Sequence, residues 1–184
     1  LRAVSISYFG SIKDLRTYLV RIIKDYRRLQ GQGVIAEFTP ETYKGYMWFA
    51  RIGSGSLGGK ARGLAFINQM LQNYALYDKY DTVRILIPRT VVVTTAYFDE
   101  FIRENGLTFV INSDLGDEEI LSEFVSSRLP EALLEDLRVF IRTVKKPLAV
   151  RSSSKLEDSY YQPFAGIYST YMIPRTENED QMLR

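Results

Sequence analysis

Two short segments hold the residue types that handle phosphate. The first is Gly53-Ser54-Gly55-Ser56-Leu57-Gly58-Gly59-Lys60, the densest run of glycine in the chain. Glycines let backbone N–H groups approach an anion closely, and a helix opening straight after them adds the positive end of its dipole. Lys60, at the end of the loop, supplies a point charge for phosphate oxygens. The run departs from the Walker A pattern, because Lys60 is followed by Ala61 rather than Ser or Thr and the glycines are spaced differently. A P-loop fold is therefore not indicated. By itself the run fits a flexible loop with a surface lysine as well as it fits a phosphate cradle. The second segment is Ala149-Val150-Arg151-Ser152-Ser153-Ser154, followed by Glu157 and Asp158. Arg151 leaves an apolar run beside three hydroxyls. Its planar guanidinium matches two phosphate oxygens at once, and serine hydroxyls can donate to the same anion. Glu157 and Asp158 either orient Arg151 or hold a cation. The competing reading is an arginine–carboxylate pair tying a loop to a strand, with the serines as turn formers.

Composition narrows the chemistry further. The 184 residues contain neither histidine nor cysteine. A Ser-His-Asp triad, a histidine base, an imidazole ligand, a thiolate and a disulfide are all excluded within this chain. Chemistry must rest on Lys, Arg, Asp, Glu, hydroxyls and backbone amides. The lack of cysteine fits a reducing compartment, and a cytoplasmic location is the expectation. A net charge of +2 gives no footprint for nucleic acid, and the 13 tyrosines are scattered as core and rim residues are. No apolar run approaches the roughly 20 residues of a membrane span, and no signal-peptide pattern opens the chain. Neither nucleic acid nor a membrane is expected as a partner. Both ends look cut from a longer protein: the chain opens on Leu1, and Glu177 to Asp180 place acids where a new helix would begin.

The elements that must position these residues follow from periodicity. Ile12, Leu15, Leu19, Ile22, Ile23, Tyr26 and Leu29 fall at helical spacing, with Ser11 as N-cap and Gly31 as stop. The opposite face is basic, which is the ordinary solvated face of an amphipathic helix. Tyr46 to Ile52 reads as a strand, followed by the glycine loop and a helix from Ala61 to Tyr74. Val83–Ile87 and Val91–Thr94 read as strands separated by Pro88, and Thr95 as the cap of a helix from Ala96 to Asn105. Helices are expected over Glu118–Ser127 and Glu131–Thr143, the latter with Pro130 in its first turn. Pro147–Arg151 reads as a short buried strand and Ala165–Ile173 as strand-like. Strands and helices alternate, so the fold class is α/β, or mixed α and β.

In order along the chain, four segments resemble the phosphoenolpyruvate synthase and pyruvate phosphate dikinase family. They are Leu57-Gly58-Gly59-Lys60 with its helix; Ile87-Pro88 through Val91-Val92-Val93-Thr94-Thr95 with Tyr97, Phe98 and Phe101; Ala149 to Ser154 with Glu157-Asp158; and Phe164-Ala165-Gly166 with Ser169-Thr170-Tyr171. The resemblance spans roughly Gly55 to Ile173. It implies the first lobe of an ATP-grasp-like nucleotide-binding domain, with residues 51–184 forming that lobe and residues 1–50 a helical or linker segment of unassigned role. It further implies that Gly58, Gly59 and Lys60 bind ATP phosphates and that Arg151 stabilises the transferring phosphoryl group. Ser152 and Ser153 would shape the phosphate loop, and Gly166 and Thr170 would line the nucleotide site. Mg2+ would accompany ATP, its acidic ligands lying mainly in a second lobe, so no metal ligand is assigned here.

The implied reaction passes a phosphoryl group from ATP through a histidine on another domain to pyruvate, giving phosphoenolpyruvate. The implied partners are the remaining domains of the same polypeptide: a second lobe, a phosphohistidine domain and an acceptor domain. By itself this piece is expected to be inactive. The sequence departs from the family at Arg62, at Ser154-Lys155-Leu156 and at the bulky Tyr160-Tyr161. These departures leave the acceptor open, with a glucan or rifampin as alternatives, and a non-catalytic nucleotide-sensing or interaction module as the reading from another class.

Overall fold

A computed structural model describes residues 8–30, 35–41, 43, 47–80, 82–83, 85–154, 157 and 166–183, with side chains of the first helix described as far as residue 23. That helix, α1, runs Ile12–Gln30. Ser11 caps it: its hydroxyl accepts from the Asp14 N–H at 3.1 Å and donates to the Asp14 carboxylate at 2.7 Å.

The body is built around a three-stranded sheet of β1 (Ala36–Glu37), β2 (Phe49–Ile52) and β3 (Thr90–Val93), in the order β1-β2-β3 and parallel throughout. Parallel strands need a crossover, which between β2 and β3 contains helix α2, Gly59–Asn73. The central strand β2 is buried almost end to end, as a strand covered on both faces must be. Its side chains alternate between two clusters. Ala50 and Ile52 join Phe38, Tyr43 and Leu133, with Tyr97, Leu137 and Phe140 packed alongside. Phe49 points the other way, to Ala61 and Val92, with Leu64 and Ala65 alongside. One face of the sheet thus carries α2. The other carries α6 (Glu131–Thr143) together with Tyr97 of α3 (Thr95–Glu104). Ala36, Phe38 and Tyr43 lie in the same core as Ile52, so the segment before β2 is part of this body.

Helices α4 (Thr108–Ile111) and α5 (Asp117–Ser126) connect α3 to α6. Asn105 ties this excursion down. Its amide donates to the Phe101 and Arg128 carbonyls at 2.9 Å each, and its oxygen accepts from the Arg128 N–H at 3.0 Å. After α6 comes a two-stranded antiparallel ribbon, β4 (Leu148–Arg151) with β5 (Thr170–Ile173), and then the short helix α7 (Glu179–Met182). Arg142 donates from Nε to both carboxylate oxygens of Glu179, at 3.0 and 2.9 Å, and joins α6 to α7.

The α/β class expected from the sequence is the class observed. Three local expectations differ. The described residues of 83–87 form no strand; the turn chemistry around Pro88 delays pairing until Thr90, whose N–H reaches the Trp48 carbonyl at 2.9 Å. β4 is not buried, since three of its four residues are exposed. Its apolar composition reads as core, yet among the described residues no second layer covers the ribbon. Thr94, not Thr95, stands at the N-cap of α3, and its hydroxyl is engaged elsewhere. Of the strand-like stretch 165–173, Ala165 lies outside the described residues and pairing covers Thr170–Ile173.

Candidate functional site

The glycine loop leaves the C-terminal end of β2, the edge at which open α/β sheets place ligands. It is not a free loop. The Thr94 hydroxyl, 1% exposed, donates to the Ile52 carbonyl at 3.0 Å, and the Thr94 N–H donates to the same oxygen at 3.1 Å. One residue on, the Thr95 N–H donates to the Ser56 carbonyl at 3.1 Å, and the Thr95 hydroxyl accepts from the Ser56 N–H at 3.0 Å. The paired threonines at the end of β3 therefore grip the loop from one side. At Gly55 a Cβ would stand 2.8 Å from the Thr95 hydroxyl, so the grip requires glycine there.

The loop is gripped from the other side by the serine run. The Ser153 carbonyl accepts from the Gly59 N–H at 3.0 Å. The Ser153 hydroxyl accepts from the Ala61 N–H at 3.0 Å and donates to the Leu57 carbonyl at 2.8 Å. A residue 92 positions away in sequence thus satisfies two of the orphan N–H groups that open α2. Gly58 makes the contact possible. Its φ of 79° and ψ of −177° lie in a region open essentially to glycine alone. A Cβ there would sit 1.7 Å from the Ser153 oxygen. Within the loop, the Ser56 hydroxyl accepts from the Gly58 N–H at 3.3 Å and from the Arg62 guanidinium at 2.9 Å.

The two phosphate-type segments are therefore one structure. Lys60, in the first turn of α2, forms an ion pair with Glu157. The carboxylate left open in sequence as a partner for Arg151 is held by the lysine instead. Arg151 ends β4, exposed, opposite Thr170 in the ribbon register. Only one residue separates Arg151 from Ser153, so their Cα atoms lie at most about 7 Å apart. The Ser152 hydroxyl accepts from the Ser154 N–H at 3.1 Å and shapes the turn after Arg151. Beside Arg151 runs an open groove of about 450 Å³, lined by Arg151, Ser152 and Ser169 and by the apolar surfaces of Val150, Ile167, Tyr168 and Tyr171. Gly166, with φ of 84°, is exposed just before Ile167. Asp158, Phe164 and Ala165 lie outside the described residues. A second depression of about 430 Å³, lined by Lys13, Arg16, Thr17, Val20 and Arg21, is confined to the surface of α1 and holds none of these groups.

Sequence reasoning assigned no role to Ser56, and it read Thr95 only as a helix cap. The signal for Thr95 was present in the threonine pair. Nothing in the sequence marks Ser56 over the other loop serines, because its role depends on contacts with Thr95 and Arg62 across the loop.

A glycine-rich strand-to-helix loop, a lysine in the first helical turn and an arginine at the end of the separate β4–β5 ribbon are residue types suited to phosphate, on a frame of α/β type. Residues 54–184 match the family described as pyruvate phosphate dikinase, AMP/ATP-binding domain, and the chain belongs to that family. Comparison with curated proteins gives no match. Comparison with solved structures gives none either. The chain is thus an ATP-binding part of a dikinase-family protein. Among the described residues no helix is long and apolar enough to cross a membrane.

Proposed function

We propose that this chain is one lobe of an ATP-grasp-like clamp that holds Mg-ATP and positions it for phosphoryl transfer to a histidine on another domain, with pyruvate as the final acceptor. The observation that carries the reading is the Ser153 staple. It ties the opening of α2, where Lys60 stands, to the segment that follows Arg151. Phosphoryl transfer asks mainly for positioning and charge neutralisation, which two cations on a rigid frame supply.

In this reading Lys60 and Arg151 take phosphate oxygens, Ser152 and Thr170 flank them, and Gly166 lets the chain pass close to the nucleotide. Gly58, Gly59 and Ser153 hold the loop in shape. The apolar wall of Ile167, Tyr168 and Tyr171 offers a face for the base. Transfer breaks a P–O bond of ATP, whose electrons leave with the phosphate oxygen of the remaining nucleotide, and the lone pair of the histidine nitrogen forms the new bond to phosphorus. The chain contains no histidine, so that group comes from another domain.

Calorimetry of Mg-ATP binding tests the reading. Lys60→Ala and Arg151→Ala should each weaken nucleotide binding or turnover by about 2–4 kcal/mol, the usual loss for a charged contact to a reacting group. Arg151→Lys should not restore it, because an ammonium lacks the planar fork. Near-normal binding and turnover in both alanine variants would remove the assignment.

A further inference from the structure

Among the described residues, Glu157 is an acidic side chain that the fold brings against the first turn of α2 and leaves half unsatisfied. Its side chain is 10% exposed and pairs through Oε1 with the Lys60 ammonium, itself 25% exposed. The other oxygen, Oε2, is buried and has no hydrogen-bond partner. Buried carboxylate oxygens are ordinarily paired, and an unpaired one costs free energy unless a donor or a cation comes to it. The position matters as much as the burial. Lys60 is the cation assigned to the nucleotide phosphates, so a phosphate arriving at Lys60 meets a carboxylate already bound to the same ammonium. Two anions sharing one monovalent cation repel each other. A divalent cation between them removes the conflict.

The ligand inventory agrees with one kind of cation site. Among the described residues no three acidic, histidine or cysteine side chains stand together. That rules out a dedicated protein cage among them. Mg2+ does not need one: it is commonly held by one or two carboxylates, the substrate's own phosphates and water. A single buried, unpaired carboxylate oxygen, on the side chain that pairs with the lysine proposed for phosphate, is the protein's share of such a site.

We propose that Glu157 is a carboxylate ligand, through Oε2, of the divalent cation that accompanies the nucleotide, so that this lobe binds metal–nucleotide in preference to free nucleotide. The inference rests on the reading of Lys60 as a phosphate contact. It adds that Glu157 is a selector, opposing metal-free ATP through its charge and favouring the metal complex through its free oxygen.

The experiment measures ATP affinity of the intact polypeptide that contains this lobe by calorimetry in EDTA and in excess Mg2+, for wild type and Glu157→Gln. Electron paramagnetic resonance of Mn2+–ATP bound to each protein reports the metal's surroundings independently of any activity. Wild type should prefer the metal complex. In Glu157→Gln that preference should collapse by about 10-fold or more, as losses in a metal's ligand environment typically do. Metal-free ATP should bind the variant more tightly than it binds wild type, and the Mn2+ signal should change. Should the glutamine variant not fold, Glu157→Asp keeps the charge but withdraws the oxygen by one methylene, and it too should lower the preference. An unchanged preference in a folded variant of either kind, with wild type binding ATP normally, overturns the role of Glu157 and leaves the Lys60 assignment standing. Wild type that binds no nucleotide under either condition overturns both.

Discussion

Replacing Gly58 with alanine tests whether the Ser153 staple is what shapes the loop. The added Cβ would lie 1.7 Å from the Ser153 carbonyl oxygen and 2.7 Å from both the carbonyl carbon and the hydroxyl. Real Cβ contacts do not fall below 3.0 Å, and the nearest atoms here are backbone, which cannot swing aside as a long side chain can. The 151–154 segment must therefore retreat from α2. That breaks the bonds to the Gly59 and Ala61 N–H groups, both 3.0 Å long. Each such bond is worth about 0.5–1.5 kcal/mol net. Holding alanine at a glycine-only φ,ψ costs about 1–3 kcal/mol more.

A central value of about 4 kcal/mol corresponds to a fall in Tm of about 8–16 °C for a domain of this size. Chemical denaturation and differential scanning calorimetry read it directly. A double-mutant cycle with Ser153→Ala sharpens the test, because both changes disrupt one contact and the combined cost should be well below the sum. A Gly58→Ala protein within about 0.5 kcal/mol of wild type, the usual range for inconsequential surface changes, would refute the reasoning. Strict additivity in the cycle would refute the claim that the two residues act through the same staple.

Two further substitutions probe the frame around the site. Gly63 lies within α2, and a Cβ there would meet nothing within 4 Å, so Gly63→Ala should stabilise the protein by about 0.5–1 kcal/mol in a thermal melt. Burial raises the Asp136 carboxyl above its usual 3.8, and the neighbouring charges of Glu135 and Glu41 raise it further. A raised acid binds its proton more tightly folded than unfolded, so its contribution to stability is full below 3.8 and is lost as pH climbs through the folded value. Asp136→Asn should therefore raise Tm at pH 7, with the gain over wild type shrinking as the pH falls toward 3.8. A gain that grew on acidification would contradict the sign.

The helices were legible because their apolar spacing is local. Ile12 to Leu29 and Glu131 to Thr143 repeat at helical period, and the structure places α1 and α6 there. The strand-loop-helix around Lys60 was legible for the same reason: an apolar run, then glycines, then a second apolar period. The two phosphate-type segments could be named from composition, since lysine, arginine and hydroxyls after apolar runs are chemically conspicuous. Ala149 and Val150 misled, because hydrophobic residues signal burial only where a second layer exists to cover them, and among the described residues none covers the β4–β5 ribbon.

Residue types and spacing determined that this chain carries an α/β frame with cations suited to phosphate and no histidine or thiol chemistry of its own. Tertiary structure decided what those groups do to one another. That Ser153 closes the start of α2, that Thr94 and Thr95 clamp the loop, and that Glu157 pairs with Lys60 rather than Arg151 are contacts between segments far apart in the chain. Such contacts depend on distances set by sheet order and helix packing, and a side chain's type records which bonds it can make but not which neighbour the fold will bring within 3 Å.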